Sequence, residues 1–327
     1  MPILPTPDYR PSPPFRFGNV STLYPSLLRT PPVLPEPETR RVELDDGDFL
    51  DYDLHSSQTG PARGVVVISH GLEGNSRRKY VLGMALMATG LGFDAVCWSQ
   101  RGCSSEPNRL ERCYHSGETG DLHAVIAHCL DAGGYDTAAL IGFSMGGNQI
   151  LKYLGEDPAK VPDAVKAAAV FSVPCDLDGC EQVLALPSRK LYFKYFMRGL
   201  SRKIRDKAAM FPGRVDAELL RGIRTLRDFD DRFTAPANGF RDAADYYAKS
   251  SCLQFLPNVA VPALVVNSLD DPFMSPSCYP RREAEANPDL FLEMPDFGGH
   301  VGFVLTGNGN VYWSEKRAAS FLTEILG

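Results

Sequence analysis

The sequence predicts an α/β protein, with a doubly wound, mainly parallel sheet interrupted by one helical insertion. Short and almost purely apolar runs alternate with amphipathic helical stretches. That alternation stops between residues 175 and 255, where aromatic and basic residues recur with no strand pattern. The 327 residues, 44% hydrophobic and 23% charged, have an ordinary globular composition. A chain of that size buries roughly 75% of its unfolded surface and needs no disulfide or metal to fold.

Residues 1–37 hold eleven of the 26 prolines. They are expected to form an extended arm, laid over the body or left loose. Proline fixes φ and removes an amide donor, so neither helix nor inner strand is expected there. A ligand for a proline-recognition domain is the alternative. Arg40 to Leu54 alternates in polarity around Asp46-Gly47, the signature of a hairpin. Gly64 to Ser69 is apolar enough for a strand buried on both faces. A helix over 78–91, a strand over 93–98, a helix over 121–131 and a strand over 137–143 follow. The pattern continues with a helix over 145–154 and a strand over 167–173. After the interruption come strands over 262–267 and 290–294 and a last helix over 312–326. Residues 38–174 and 256–327 therefore make the core, and 175–255 a helical cap.

Several function classes are excluded. A net charge of −6 gives no overall attraction to nucleic acid or an anionic membrane. No apolar run is long enough to span a bilayer. The start, Met1-Pro2-Ile3-Leu4-Pro5, lacks the basic and apolar regions of a secretory signal. The eight cysteines form no Cys-x-x-Cys pair, and Cys97 and Cys129 fall inside apolar patterns, as buried free thiols do. A cytoplasmic location is expected. His123 and His128, five apart, would lie on different helix faces, so no metal is expected. No phosphate-cradling or dinucleotide fingerprint occurs, and no cofactor is expected. Oligomeric state is left open.

The chemistry is carried by a serine. Ala138-Ala139-Leu140-Ile141 runs into Gly142-Phe143-Ser144-Met145-Gly146-Gly147, and a helix follows. Gly-x-Ser-x-Gly between strand and helix is a nucleophile elbow, whose two arms nearly touch and so require glycines. The serine needs a base and an acid. Among six histidines, His300 sits in Gly298-Gly299-His300-Val301-Gly302, expected to be a mobile, sterically open loop. Asp270 and Asp271 follow the strand over 262–267. Asp271 is preferred because it precedes Pro272, with Asp270 in reserve. Ser144, Asp271 and His300 then follow the chain order of the α/β-hydrolases. The oxyanion donors are expected to be the backbone N–H groups of Met145 and of Leu72, in His70-Gly71-Leu72-Glu73-Gly74. His70 would shape that loop.

Those stretches, with Arg101-Gly102-Cys103-Ser104, Tyr114-His115-Ser116-Gly117, Ser172-Val173-Pro174-Cys175-Asp176-Leu177 and Tyr246-Tyr247, resemble the YheT-like branch of the α/β-hydrolases. That branch is related to α/β-hydrolase-domain acylglycerol and phospholipid hydrolases. The likeness runs from about residue 40 to 320. It implies an esterase-type serine hydrolase with Ser144, Asp271 and His300 as triad. The amino-terminal arm also resembles the extended leading segment of the branch. Ser105 stands where glycine is usual, and Met145 where leucine is common. A small ester or lipid-like substrate is expected. The same triad could serve acyl transfer, thioesters or amides, and a silent binding module is the alternative outside enzymes.

Arg101 is expected to brace its loop, with an anion clamp as the alternative. Tyr114 to Gly117 is expected to be a structural loop, with a specificity element as the alternative. From Arg189 to Lys207 eight basic residues accompany Asp206, and Phe193, Phe196, Met197, Leu200 and Ile204 recur at helical spacing. A cap helix with a solvated basic face is expected there, and contact with an anionic bilayer or headgroup is the alternative.

Overall fold

A computed structural model describes residues 3–307 and 309–327. Helix α1 (Gly18–Leu28) precedes a hairpin of β1 (Glu38–Glu43) and β2 (Phe49–His55). Then come β3 (Val65–Ser69), α2 (Lys79–Gly90), β4 (Asp94–Ser99), α3 (Gly120–Gly133), β5 (Ala138–Phe143), α4 (Met145–Glu156) and β6 (Val165–Phe171). The chain leaves the sheet through α5 (Leu177–Leu184), α6 (Lys190–Met210), the single turns α7 (Leu226–Phe229) and α8 (Ala235–Ala237), and α9 (Ala243–Ser250). It returns in β7 (Ala263–Val266), α10 (Arg281–Ala286), β8 (Leu290–Glu293) and α11 (Trp313–Leu326). No strand is assigned over 175–255 among the described residues.

The eight strands lie in the order β1-β2-β4-β3-β5-β6-β7-β8. β1 and β2 are antiparallel to their neighbours, and the pairings from β4 to β8 are parallel. β3 and β5 are buried at every residue because the period-2 pleat sends alternate side chains to two separate cores. Val65, Val67 and Leu140 meet α3 and α4 through Leu122, Ile126 and Leu151. Val66, Ile68 and Ile141 meet α2 and α11 through Met84, Ala85 and Phe321. The parallel register pairs Ser69 with Gly142 and Phe143 with Phe171, and seats Phe171 beside Val266. The chain therefore turns out of β3, β5, β6 and β7 at one edge of the sheet, where ligands bind in such folds.

The amino-terminal arm departs from expectation, because residues 18–28 are helical. Its prolines flank the helix, and Pro25 is the only one between residues 15 and 30. Pro25 withdraws one amide bond from α1, but it is buried with Ser21 on the helix's inner face, and that packing offsets the loss. The rest of the arm is laid on the body. Leu4 N–H donates to Leu292 O at the β8 edge (2.9 Å), and the Tyr9 hydroxyl donates to Val304 O (3.0 Å). Arg29 makes a buried ion pair with Glu315 of α11 at 2.6 Å. All eight cysteines are free thiols. Among the described residues, no helix is long and apolar enough to cross a membrane.

Candidate active site

The turn from β5 into α4 puts Ser144 at φ +52°, ψ −121°, a backbone conformation that costs on the order of 1–3 kcal/mol. The turn is tight enough to demand its glycines. A Cβ on Gly142 would lie 2.8 Å from Gly147 Cα, and one on Gly146 would lie 2.6 Å from the Ser69 and His70 carbonyl oxygens. Ser144 is thereby raised clear of the sheet, at the N-terminus of α4.

His300 and Asp271 reach Ser144 from two other loops. The Ser144 hydroxyl donates to His300 Nε2 (2.8 Å), and His300 Nδ1–H donates to Asp271 Oδ2 (2.9 Å). The second Asp271 oxygen accepts from Phe273 N–H (2.9 Å), which fixes the carboxylate plane. The Phe273 ring lies 4.1 Å from the imidazole, tilted 31°. Among the described residues, the His300 ring makes its carboxylate hydrogen bond to Asp271, not to Asp270. Asp270 Oδ1 accepts from Gly299 N–H (2.8 Å), and burial pushes its carboxyl above the ordinary range.

The loop carrying His300 is pinned, contrary to the mobile loop expected from its glycines. Ser21 Oγ donates to Gly298 O (3.0 Å), and His300 N–H donates to Thr22 Oγ1 (2.8 Å). Ser268 Oγ donates to Gly299 O (2.9 Å), and Val301 N–H donates to Ser172 Oγ (2.9 Å). A Cβ on Gly299 would lie 2.5 Å from Gly18 O. Gly299 and Gly302 serve close approach of α1, and Gly298 close approach of Phe303 and Ser268, not mobility. Ser21 and Thr22 are contacts to the His300 loop that the sequence reading missed, and no local spacing announces them. Ser172 and Ser268 had a weak signal, since each follows the carboxyl end of a parallel strand.

The loop after β3 abuts the serine, with a Cβ on Gly71 falling 3.2 Å from Ser144 Cβ. Leu72 packs against Met145. Neither Leu72 N–H nor Met145 N–H has a hydrogen-bond partner among the described residues, so both remain available to an oxyanion. His70 shapes the loop. Its Nδ1–H donates to Gly71 O (2.8 Å), its Nε2 accepts from Gln100 N–H (3.0 Å), and burial lowers its pKa to about 3. Glu73 accepts from Tyr114 OH (2.8 Å) and pairs with Lys203 of α6 (2.6 Å), which ties the cap to this loop.

Ser144, Met145 and Leu72 line a cavity of about 150 Å³, walled by Phe196 and Leu200 of α6 and by Phe229 and Phe233. Tyr114, His115 and Ser116 also line it, while the same loop braces its surroundings, with Ser116 N–H donating to Tyr246 OH (2.9 Å) and His115 O accepting from Gln149 Nε2 (2.9 Å). Asp230 is one of the polar residues in the cap wall, with Glu181, Lys203, Thr234 and Asn238. It accepts from Thr234 and Tyr247 hydroxyls, each at 2.6 Å, and burial pushes its carboxyl up to about 6. Arg101 is the brace expected, buried against Asp121 (2.6 Å) and against Asp46 and Asp48 (both 2.9 Å). His123 meets Tyr153 OH (3.0 Å), and no cluster of potential metal ligands occurs among the described residues.

Comparison with known proteins agrees with this architecture. The profile of the alpha/beta hydrolase fold family matches residues 64–305. A protein of Escherichia coli (strain K12), named provisionally as the esterase YheT, is 34% identical over 94% of this chain and 91% of its own. Phospholipase ABHD3 of Mus musculus is 32% identical over 86% of this chain and 69% of its own. The esterase Pf2001 of Pyrococcus furiosus superposes with a TM-score of 0.59 at 16% identity, covering 89% of this chain and 92% of that one, a likeness of fold alone. With a match to the family profile across most of its length and a near full-length relative of that kind, the chain belongs to the alpha/beta hydrolase fold family, in its YheT-like branch of esterase- and lipase-type hydrolases.

Proposed function

We propose that the chain is a serine hydrolase that cleaves carboxylic esters of apolar acyl chains through an acyl-enzyme. The observation carrying this reading is the unbroken hydrogen-bond relay from Ser144 through His300 to Asp271, at the wall of an apolar cavity. In the first step His300 Nε2 takes the Ser144 proton as Oγ attacks the acyl carbonyl. The carbonyl π pair moves onto oxygen, where Leu72 and Met145 N–H groups and the N-terminus of α4 face it. The tetrahedral adduct collapses, and His300 returns the proton to the departing alkoxide. Water then repeats the sequence on the acyl-serine, releasing the acid and regenerating the hydroxyl. Asp271 holds the tautomer with Nε2 free and stabilises the imidazolium. No step calls on a cofactor. The apolar walls favour an acyl chain over a polar acyl group, and the free thiols suit a reducing compartment.

The test is labelling with a fluorophosphonate, followed by turnover of chromogenic esters. Wild-type protein is expected to label, and Ser144→Ala to lose both labelling and activity, with kcat falling on the order of 10⁶-fold, by analogy with other triads. Equal labelling of Ser144→Ala and wild type overturns the assignment.

A further inference from the structure

Helix α1 has two faces with different work. The inner one holds the His300 loop through Ser21 and Thr22. The outer one is apolar and open to solvent, with Leu27 and Leu28 exposed at 67% and 69% together with Val20, and Phe17, which caps the helix, at 69%. Val20 and Leu27, seven apart, lie on one side of the helix, and Phe17 caps its start. Globular proteins scatter such residues singly on their surfaces, and a stripe of them marks an interaction site.

The stripe borders the basic face of α6. Tyr192 OH donates to Asn19 Oδ1 (2.8 Å), and Leu23 packs on the cluster that holds Tyr192. Within a turn of that contact, Leu191 and Tyr195 are exposed on α6, as Val20 is on α1 and Phe17 just before it. Lys190, Lys194, Arg198, Arg202 and Arg205 are exposed on the same helix. Its only acid, Asp206, stands in its last turns, and α1 has none. Lys79 adds a cation by donating to Ser26 O (3.1 Å) at the end of α1. Apolar side chains rimmed by cations, on a chain of net charge −6, make a local match to a surface with an apolar interior and anionic headgroups. The other side of α6 supplies Phe196 and Leu200 to the cavity wall.

We propose that α1 and the first half of α6 form a docking face for anionic lipid bilayers, placing the cavity's helical wall at the lipid surface. The proposal deepens the ester-hydrolase reading but is tested separately from it. The full chain is co-sedimented with phosphatidylcholine vesicles with or without phosphatidylglycerol, across a salt series. Binding is expected with phosphatidylglycerol, weakening as salt rises. Combined Lys190→Glu, Lys194→Glu and Arg198→Glu is expected to weaken it by at least ~100-fold, on the scale of about tenfold per 1.4 kcal/mol and one such increment or slightly less per cation. Combined Phe17→Ser, Leu27→Ser and Leu28→Ser is expected to abolish it. Both variants are expected to turn over a short soluble ester like the wild type, which reports folding and the hydrolase reading independently. Negligible binding to both vesicle types, or binding unchanged in the charge-reversed variant, overturns the proposal. So does a concentration-dependent dimer that the serine variant dissociates, because a second copy would then own the face.

Discussion

Replacing Thr22 by valine removes one hydroxyl and keeps the shape of the side chain. In the native arrangement that hydroxyl donates to Gly18 O (2.7 Å) and accepts from His300 N–H (2.8 Å). The valine leaves the His300 amide without its partner. An unsatisfied donor costs about 1–3 kcal/mol when fully buried. The Thr22–His300 contact is only partly buried, so water recovers some of this and about 1–2 kcal/mol remains. The loop does not unravel, because Ser21, Ser172, Ser268 and Asp270 still hold its other backbone groups. The cost falls instead on the position of the imidazole, where an error of 1 Å is worth on the order of 100-fold in rate. At about 1.4 kcal/mol per factor of ten, kcat for a soluble ester is expected to fall ~5- to 30-fold. KM is expected to hold, since Thr22 does not line the cavity. The fluorophosphonate labelling rate should fall by the same factor as kcat. Thr22→Ser, which restores the acceptor, should restore both. Wild-type kcat in Thr22→Val, or a serine variant as impaired as the valine one, refutes the role of the hydroxyl.

Asp271→Asn is expected to lower kcat by about 10⁴-fold, as in serine proteases, through loss of the correct imidazole tautomer. Asp270→Asn keeps an acceptor for Gly299 N–H and should cost no more than ~10-fold by the same kinetic comparison; the reverse ranking would exchange their roles. Acid stability should reflect two opposed groups. His70 has a pKa of 6.5 unfolded and about 3 folded, so its contribution is complete above 6.5 and is lost as pH falls toward 3. At about 1.4 kcal/mol per unit, that is about 2 kcal/mol between pH 6.5 and 5. Asp230, at 3.8 unfolded and about 6 folded, acts with the other sign, its contribution being lost as pH rises through that window. Asp230→Asn should therefore lose stability more steeply than wild type between pH 6 and 4 in urea titrations, and parallel curves would refute the assignment. Arg29→Met leaves Glu315 buried and unpaired, and a loss of about 3–5 kcal/mol is expected in the same assay; an unchanged midpoint would show that the arm is not anchored there.

What the sequence made legible is what chain-local physics controls. β3 and β5 stood out because burial on both faces leaves no polar position to blur a short apolar run. The serine elbow stood out because the steric demand at Gly142 and Gly146 acts within four residues of chain. Neighbouring aspartates are harder, since consecutive side chains diverge, and the packing of the turn after β7 decides which one meets His300. The arm was misjudged for a different reason. Its proline total concealed the stretch from 15 to 30, where Val20, Leu23, Tyr24, Leu27 and Leu28 show helical spacing.

The glycines around His300 show where such reading runs out. In sequence, a glycine that confers freedom and one that admits a neighbouring chain look identical. Here the neighbour is α1, nearly 280 residues away along the chain from the histidine it supports. Val301 and Phe303 are held at φ +60° and +45°, conformations that cost on the order of 1–3 kcal/mol each and persist only where the surroundings impose them. The imposing groups are Ser21, Thr22, Ser172, Ser268 and Asp270, drawn from the arm and from the ends of β6 and β7. An imidazole held that way needs no reorganisation for the proton transfer proposed for it, which is the condition under which preorganised polar groups lower a barrier most. The proline-rich arm, which looked like an appendage, is therefore part of what sets the geometry of His300, the base proposed for the reaction.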